Sequence, residues 1–177
     1  MIWNDTKIKQ WAKNGGITPY DESLVNPASL DLRLGRFIRE PLKCWHMKPS
    51  RMVTKKTPAS EMWTDVIQFT TYTLNPGDLI LCHSLEFTRI PVDACAMLLS
   101  KSSTGRIGLE HLHAGWGDSG FSGEWVFEIK NLAPWPIELR PHECYMQLVM
   151  MDMVAAPEKS YQITGRYNGQ TGPEAHR

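Results

Sequence analysis

The sequence predicts a mainly β protein, a barrel or jelly roll with few helices. Three observations carry this. Apolar and β-branched residues come in short, often alternating stretches. Turn residues punctuate the chain roughly every eight to twelve residues. The one stretch with clear helical spacing lies at the N-terminus. At 177 residues a single domain is expected, long enough to bury roughly two-thirds of its unfolded surface.

In chain order, Asn4-Asp5-Thr6 supplies N-cap residues ahead of Ile8, Trp11 and Ala12, spaced i, i+3, i+4, and Asn14-Gly15-Gly16 stops the run. This predicts a short amphipathic helix that packs Trp11 against the body. Residues 29–34 alternate Leu30, Leu32 and Leu34 with Asp31 and Arg33 and end at Gly35, which reads as a strand with one buried face. Residues 41–65 mix lysines with Pro41, Pro49 and Pro58 and show little periodicity. They read as a solvated excursion between strands in preference to a nucleic-acid patch. Residues 66–74, the turn Asn75-Pro76-Gly77-Asp78 and residues 79–82 predict a hairpin. Further strands are expected over 87–90 and 94–99. Pro134, Pro136 and Pro141 then break the chain into short extended pieces. Residues 143–154 return as an apolar strand whose methionines read as core filling. The polar, glycine-rich tail YQITGRYNGQTG should be disordered unless it closes over something.

The chemistry concentrates in residues 100–131. Lys101, Ser102, Ser103, Thr104, Gly105 and Arg106 combine two cations, three hydroxyls and a glycine, so that side chains and backbone N–H groups can converge on phosphate oxygens. The order is not that of a Walker loop, and a plain solvated turn has the same composition. Gly115-Trp116-Gly117-Asp118-Ser119-Gly120 suits a backbone that bends sharply or lets a ligand approach closely. A hairpin turn explains the same glycines equally well. Residues 124–130 alternate, with Trp125, Phe127 and Ile129 on one face and Val126, Glu128 and Lys130 on the other. Glu128 thus stands in an otherwise hydrophobic strand, the setting a proton shuttle needs. A solvent-facing glutamate paired with Lys130 is the alternative. His111 and His113 flank this stretch, and without a third ligand at suitable spacing they read as structural or hydrogen-bonding residues.

Nineteen basic and nineteen acidic residues cancel, so no global field favours nucleic acid or an anionic membrane, and phosphate affinity must be local. Cys44, Cys82, Cys95 and Cys144 are scattered with no C-x-x-C pair, which argues against zinc and for reduced thiols in a cytoplasmic compartment. The zinc-deaminase signature H-x-E followed by P-C-x-x-C is missing. There is no signal-peptide pattern and no long apolar run, so neither export nor membrane insertion is expected.

The runs NPASLDLRLG, KSSTGRIGL, AGWGDSGFSG, VFEIKN and GRYNGQTGPEAHR, in that order, resemble the dCTP deaminase branch of the trimeric dUTPase-like family. The resemblance implies a distorted β-barrel or jelly roll of that type with a short N-terminal helix. It implies one domain over residues 1–177, with residues 155–177 as an arm closing over the nucleotide, and a homotrimer with shared sites. It further implies dCTP as substrate, magnesium carried on the triphosphate, no zinc, and inhibition by dTTP. Position by position, Glu128 matches the catalytic glutamate, and Ser102 and Arg106 match residues beside the reacting centre. Residues 101–106 match the triphosphate loop and Asp118 the acid that holds the deoxyribose 3′-hydroxyl. Val126 and Phe127 flank the base. Tyr161, Arg166 and Gln170 match tail residues that reach the nucleotide. Asp31 matches an aspartate supporting the magnesium–triphosphate end. Release of dUTP and ammonia ranks first on the strength of Glu128. A second activity, cleavage to dUMP and pyrophosphate, stays open because Trp116 is aromatic where many single-activity deaminases carry a basic residue. A dUTPase and a non-catalytic nucleotide-binding regulator are the remaining alternatives.

Overall fold

A computed structural model describes residues 1–42 and 52–176. The chain begins with helix α1 (Asp5–Trp11), where the Asn4 side chain accepts from the Lys7 N–H at 3.0 Å, satisfying one of the donors a helix start leaves open. Trp11 is buried and its indole N–H donates to the Arg89 carbonyl at 2.9 Å. A methyl at Gly16 would sit 2.2 Å from that ring, so only glycine lets the chain turn beneath it.

The body is built from β1 (Ile17–Thr18), β2 (Leu30–Arg33), β3 (Phe37–Ile38), β4 (Ile67–Gln68), β5 (Tyr72–Leu74), β6 (Leu79–Arg89) and β7 (Ala94–Ser100). It continues through helix α2 (Ser102–Arg106), β8 (Leu109–His111), β9 (Trp116–Gly117), β10 (Ser122–Asn131), β11 (Ile137–Leu139), β12 (Cys144–Asp152) and a final helical turn, α3 (Tyr161–Thr164). Two four-stranded antiparallel sheets, in the orders β1-β6-β10-β8 and β2-β12-β7-β9, are flanked by the pairs β5-β11 and β3-β4. The arrangement is of jelly-roll type and the sheets do not close into a barrel. Alternate residues of β10 and β12, among them Phe127, Ile129, Met146, Leu148 and Met150, are fully buried in one apolar cluster, each large side chain worth about 1.5–3 kcal/mol of transfer free energy. No helix among the described residues is long and apolar enough to cross a membrane.

Several local expectations change. The 75–78 turn forms, with Asp78 N–H donating to the Asn75 carbonyl at 3.0 Å, yet it joins no hairpin: β5 pairs with β11 while β6 pairs with β1 and β10. The strands expected over 79–82 and 87–90 are one strand, β6. In place of a loop, Ser102–Arg106 form a single helical turn after Lys101, with Thr104 turned inward and its hydroxyl donating to the Tyr145 carbonyl at 2.7 Å. Strand β2 is covered on both faces, since Asp31 is buried and paired. The expectation for residues 43–51 lies outside the described residues, but residues 57–64 are not merely solvated. Leu42 N–H donates to the Met62 carbonyl at 2.8 Å and Thr64 N–H to the Glu40 carbonyl at 2.9 Å.

Candidate active site

Strand β10 carries Glu128 opposite Leu81 on β6, and β8 sets His111 against Ile129. The His111 side chain is almost wholly buried and its Nε2 lies 3.0 Å from Glu128 Oε2, whose side chain remains one-quarter exposed. Among the described residues neither ring nitrogen has a hydrogen-bonding partner elsewhere, and neither does that oxygen. Buried polar atoms are costly to leave without partners, so this imidazole and carboxylate depend on each other or on a ligand. Nothing in the spacing of His111 and His113 marked the first as a neighbour of Glu128. Only the β8–β10 register does so. His113 instead faces solvent, its Nε2 3.2 Å from Glu110 Oε1. Beneath Glu128, the Cys82 thiol is held protonated: burial pushes it well above its ordinary range, and the Glu128 charge adds to the effect.

Glu128 opens into a cavity of about 470 Å³ that Asp118, Val126, Ala114, Trp116, Tyr161 and Gln170 also line. Asp118 is exposed at the turn after β9, and its Oδ1 accepts from the Trp116 indole N–H at 3.0 Å. Gly117 is forced by packing, since a methyl there would lie 2.3 Å from the Trp125 ring. Phe127 lies on the opposite face of β10 with its side chain fully buried in the core, and its neighbour Val126 lines the cavity.

The tail docks on the same strand. Glu124 N–H donates to the Gln170 carbonyl at 3.0 Å and the Gln170 side-chain amide returns a bond to the Glu124 carbonyl at 2.8 Å. Glu124 Oε2 accepts from Gly172 N–H at 2.6 Å and from His83 Nδ1 at 2.7 Å. Tyr161 packs edge-on against Phe121 with ring centroids 5.9 Å apart. These bonds to β10 order a tail whose composition alone pointed to disorder. Arg166 is exposed and does not line the cavity.

The expected phosphate group stands apart. Among the described residues, none of Lys101, Ser102, Ser103, Thr104, Gly105 and Arg106 lines the Glu128 cavity. Ser102, Ser103 and Arg106 face solvent, and Lys101 Nζ pairs with Asp31 Oδ2. Asp31 Oδ1 accepts from the Asn26 amide at 2.8 Å. Both oxygens of Asp31 are therefore engaged, and the arrangement does not fit a magnesium ion held by that carboxylate. Among the described residues there is also no group of three or more His, Cys, Asp or Glu side chains that could hold a metal. Cys82, Cys95 and Cys144 are free thiols, and Cys44 lies outside the described residues.

Comparisons with known proteins agree with one another. A "dCTP deaminase, dUMP-forming" of Leifsonia xyli subsp. xyli is 35% identical over 183 residues, covering all of this chain and 90% of the relative. The protein of the same name from Streptomyces avermitilis is 39% identical over 185 residues, with all of this chain and 95% of the relative covered. In fold, the chain is similar to the 2'-deoxycytidine 5'-triphosphate deaminase of Agrobacterium tumefaciens, with a TM-score of 0.66 and 23% identity over 84% of this chain. The match spans about half of that longer protein, 47%. The model of the dCTP deaminase-like family matches residues 2–153, and the chain belongs to that family.

Proposed function

We propose that this protein deaminates dCTP hydrolytically and then cleaves the resulting dUTP, releasing ammonia, pyrophosphate and dUMP. The observation that carries the proposal is that two carboxylates, Glu128 and Asp118, line one cavity from different parts of the fold. One is available for proton transfer at a base and the other for a second site on the same ligand. The relatives named as dUMP-forming support this order of preference and reverse the one that ranked dUTP release first.

Glu128 takes a proton from water as the oxygen adds to C4 of cytosine. It passes protons to N3 and to the departing amino nitrogen, so that one carboxylate acts first as base and then as acid. Ammonia leaves and the ring becomes uracil. Asp118 then receives the proton of a second water that attacks the α-phosphate, and pyrophosphate departs. The indole of Trp116 holds one Asp118 oxygen and leaves the other for that water or for the 3′-hydroxyl. Magnesium enters as part of the substrate, on its phosphates.

Ser102 and Arg106 lie outside the Glu128 cavity within one chain. This supports a homotrimer in which the 101–106 turn of a neighbouring copy completes each site, with Ser102, Ser103, Gly105 and Arg106 toward the triphosphate and residues 155–177 closing over it. Tyr161, Arg166 and Gln170 belong to that arm. Inhibition by dTTP follows from the same reading, because a thymine nucleotide presents similar sugar and phosphates.

The test is purified protein with dCTP and magnesium, its products separated by ion exchange while ammonia and pyrophosphate are assayed in parallel. Equal ammonia and pyrophosphate with dUMP is the expected result. Accumulating dUTP would leave deamination alone. Cleavage of added dUTP with dCTP untouched would refute the role of Glu128, and binding without product would leave a regulator.

A further inference from the structure

We propose that Trp63 is a substrate-contacting residue, its indole serving as the face against which the pyrimidine ring of the nucleotide packs. The inference rests on the proposed function for the identity of the ligand, and on the following geometry for the residue. Trp63 comes from the 57–64 segment, far in sequence from every motif described above, yet it lines the Glu128 cavity together with Met62 and Leu81. The residue is only partly buried. A partly exposed tryptophan lining a carboxylate-bearing cavity offers the broad π-surface that planar bases stack on.

The segment is held in place from several directions. Trp63 bridges to Pro41, its backbone N–H donates to the Ala59 carbonyl at 2.9 Å, and the flanking Thr64 N–H donates to the Glu40 carbonyl. Arg39 adds the decisive tie. Its Nη1 donates to the Thr64 carbonyl at 2.7 Å and its Nε to the Pro173 carbonyl at 3.0 Å, so one guanidinium fastens the Trp63 segment and the C-terminal tail together. Arg39 itself bridges to Leu81, which is registered against Glu128. A contiguous row of backbone pairings therefore sets the Trp63 segment relative to the reacting carboxylate. His176 closes the arrangement from the other end, its Nε2 2.7 Å from the Thr57 carbonyl. A wall fixed to both the strand of Glu128 and the closing tail is suited to orienting a base.

The experiment titrates magnesium–dCTP onto full-length Glu128→Gln protein by calorimetry, with position 63 as Trp, Phe or Leu, and measures steady-state kinetics of the same position-63 variants with Glu128 intact. Trp63→Leu should weaken dCTP binding about tenfold, the scale of one lost base–aromatic contact, and should raise KM more than it lowers kcat. Trp63→Phe should restore most of the affinity. Trp63→Met replaces the leucine variant if melting shows the latter unfolded. Unchanged binding by the non-aromatic variant would overturn the proposal, as would equal weakening by Phe and Leu, which would mark the indole as mere filling. Failure of the parent protein to bind or turn over dCTP would instead defeat the proposed function, and is seen without any position-63 variant.

Discussion

Replacing Glu128 by glutamine should separate the two steps of the proposed reaction. The amide keeps the shape of the carboxylate and can still meet His111 Nε2, which lies 3.0 Å from Oε2 in the parent. It cannot accept a proton from water. General acid–base catalysis by a positioned side chain is worth about 10²–10⁴-fold, or about 3–5 kcal/mol of activation free energy. In the proposed mechanism one carboxylate serves both as base and as acid, so the loss should fall toward the upper end. The side chain is one-quarter exposed and pairs only with His111 among the described residues, so the effect on folding should stay near ~0.5 kcal/mol. The assay is ammonia release at saturating dCTP, with melting of both proteins as control. Pyrophosphate release from added dUTP is measured on the same samples and should persist. If Glu128→Gln released ammonia within tenfold of the parent rate, the carboxylate would not be the proton carrier and the reasoning would fail.

Asp118→Asn should lower pyrophosphate release from dUTP by about a hundredfold or more while ammonia release from dCTP persists, read in the coupled assays of each product. Gly117→Ala should destabilise the fold by about 1–3 kcal/mol, because its methyl would lie 2.3 Å from the Trp125 ring; a urea titration that left the midpoint unmoved would contradict the packing described. At the far end of β12, hydrogen bonds from Lys7 and then from the Trp3 indole hold the Asp152 carboxyl below its ordinary range. A depressed folded pKa contributes stability that is present above the unfolded value and lost as pH falls through the folded one. Asp152→Asn should therefore flatten the acid limb of the stability profile and leave its neutral region lower, as followed by thermal melts across pH.

The local chemistry of the chain is legible in its residues alone. The cap at Asn4, the turn at Asn75 to Asp78 and the alternation along residues 124–130 each depend on neighbours a few residues away, and each appears where its pattern places it. The alternation also puts Glu128 on the face away from Phe127, which is what exposes it to the cavity. Partner choice is not legible in the same way. The turn after β5 looks like a hairpin turn because its residues favour reversal, but whether β5 pairs with β6 or with β11 is decided by which strands meet across the core.

The site divides along the same line. The residue types at 101–106, 118 and 128 are compatible with phosphate and proton chemistry, but composition leaves a solvated turn, a hairpin turn and a solvent-facing glutamate equally open there, and the family resemblance favours the nucleotide reading. Their assembly depends on contacts between distant segments. Lys101 is committed to Asp31, 70 residues away, and His111 meets Glu128 only through the register of two strands. Trp63 reaches the cavity from a segment that Arg39 joins to the tail. The sequence by itself determined the mainly β class, the N-terminal helix and the inventory of reactive side chains, since propensity, alternation and residue type act over a few residues. Only the tertiary structure decided which carboxylates share a cavity, which cation is already paired and which ring lines the cavity wall. Those depend on long-range pairing, for which the chain carries no local signal.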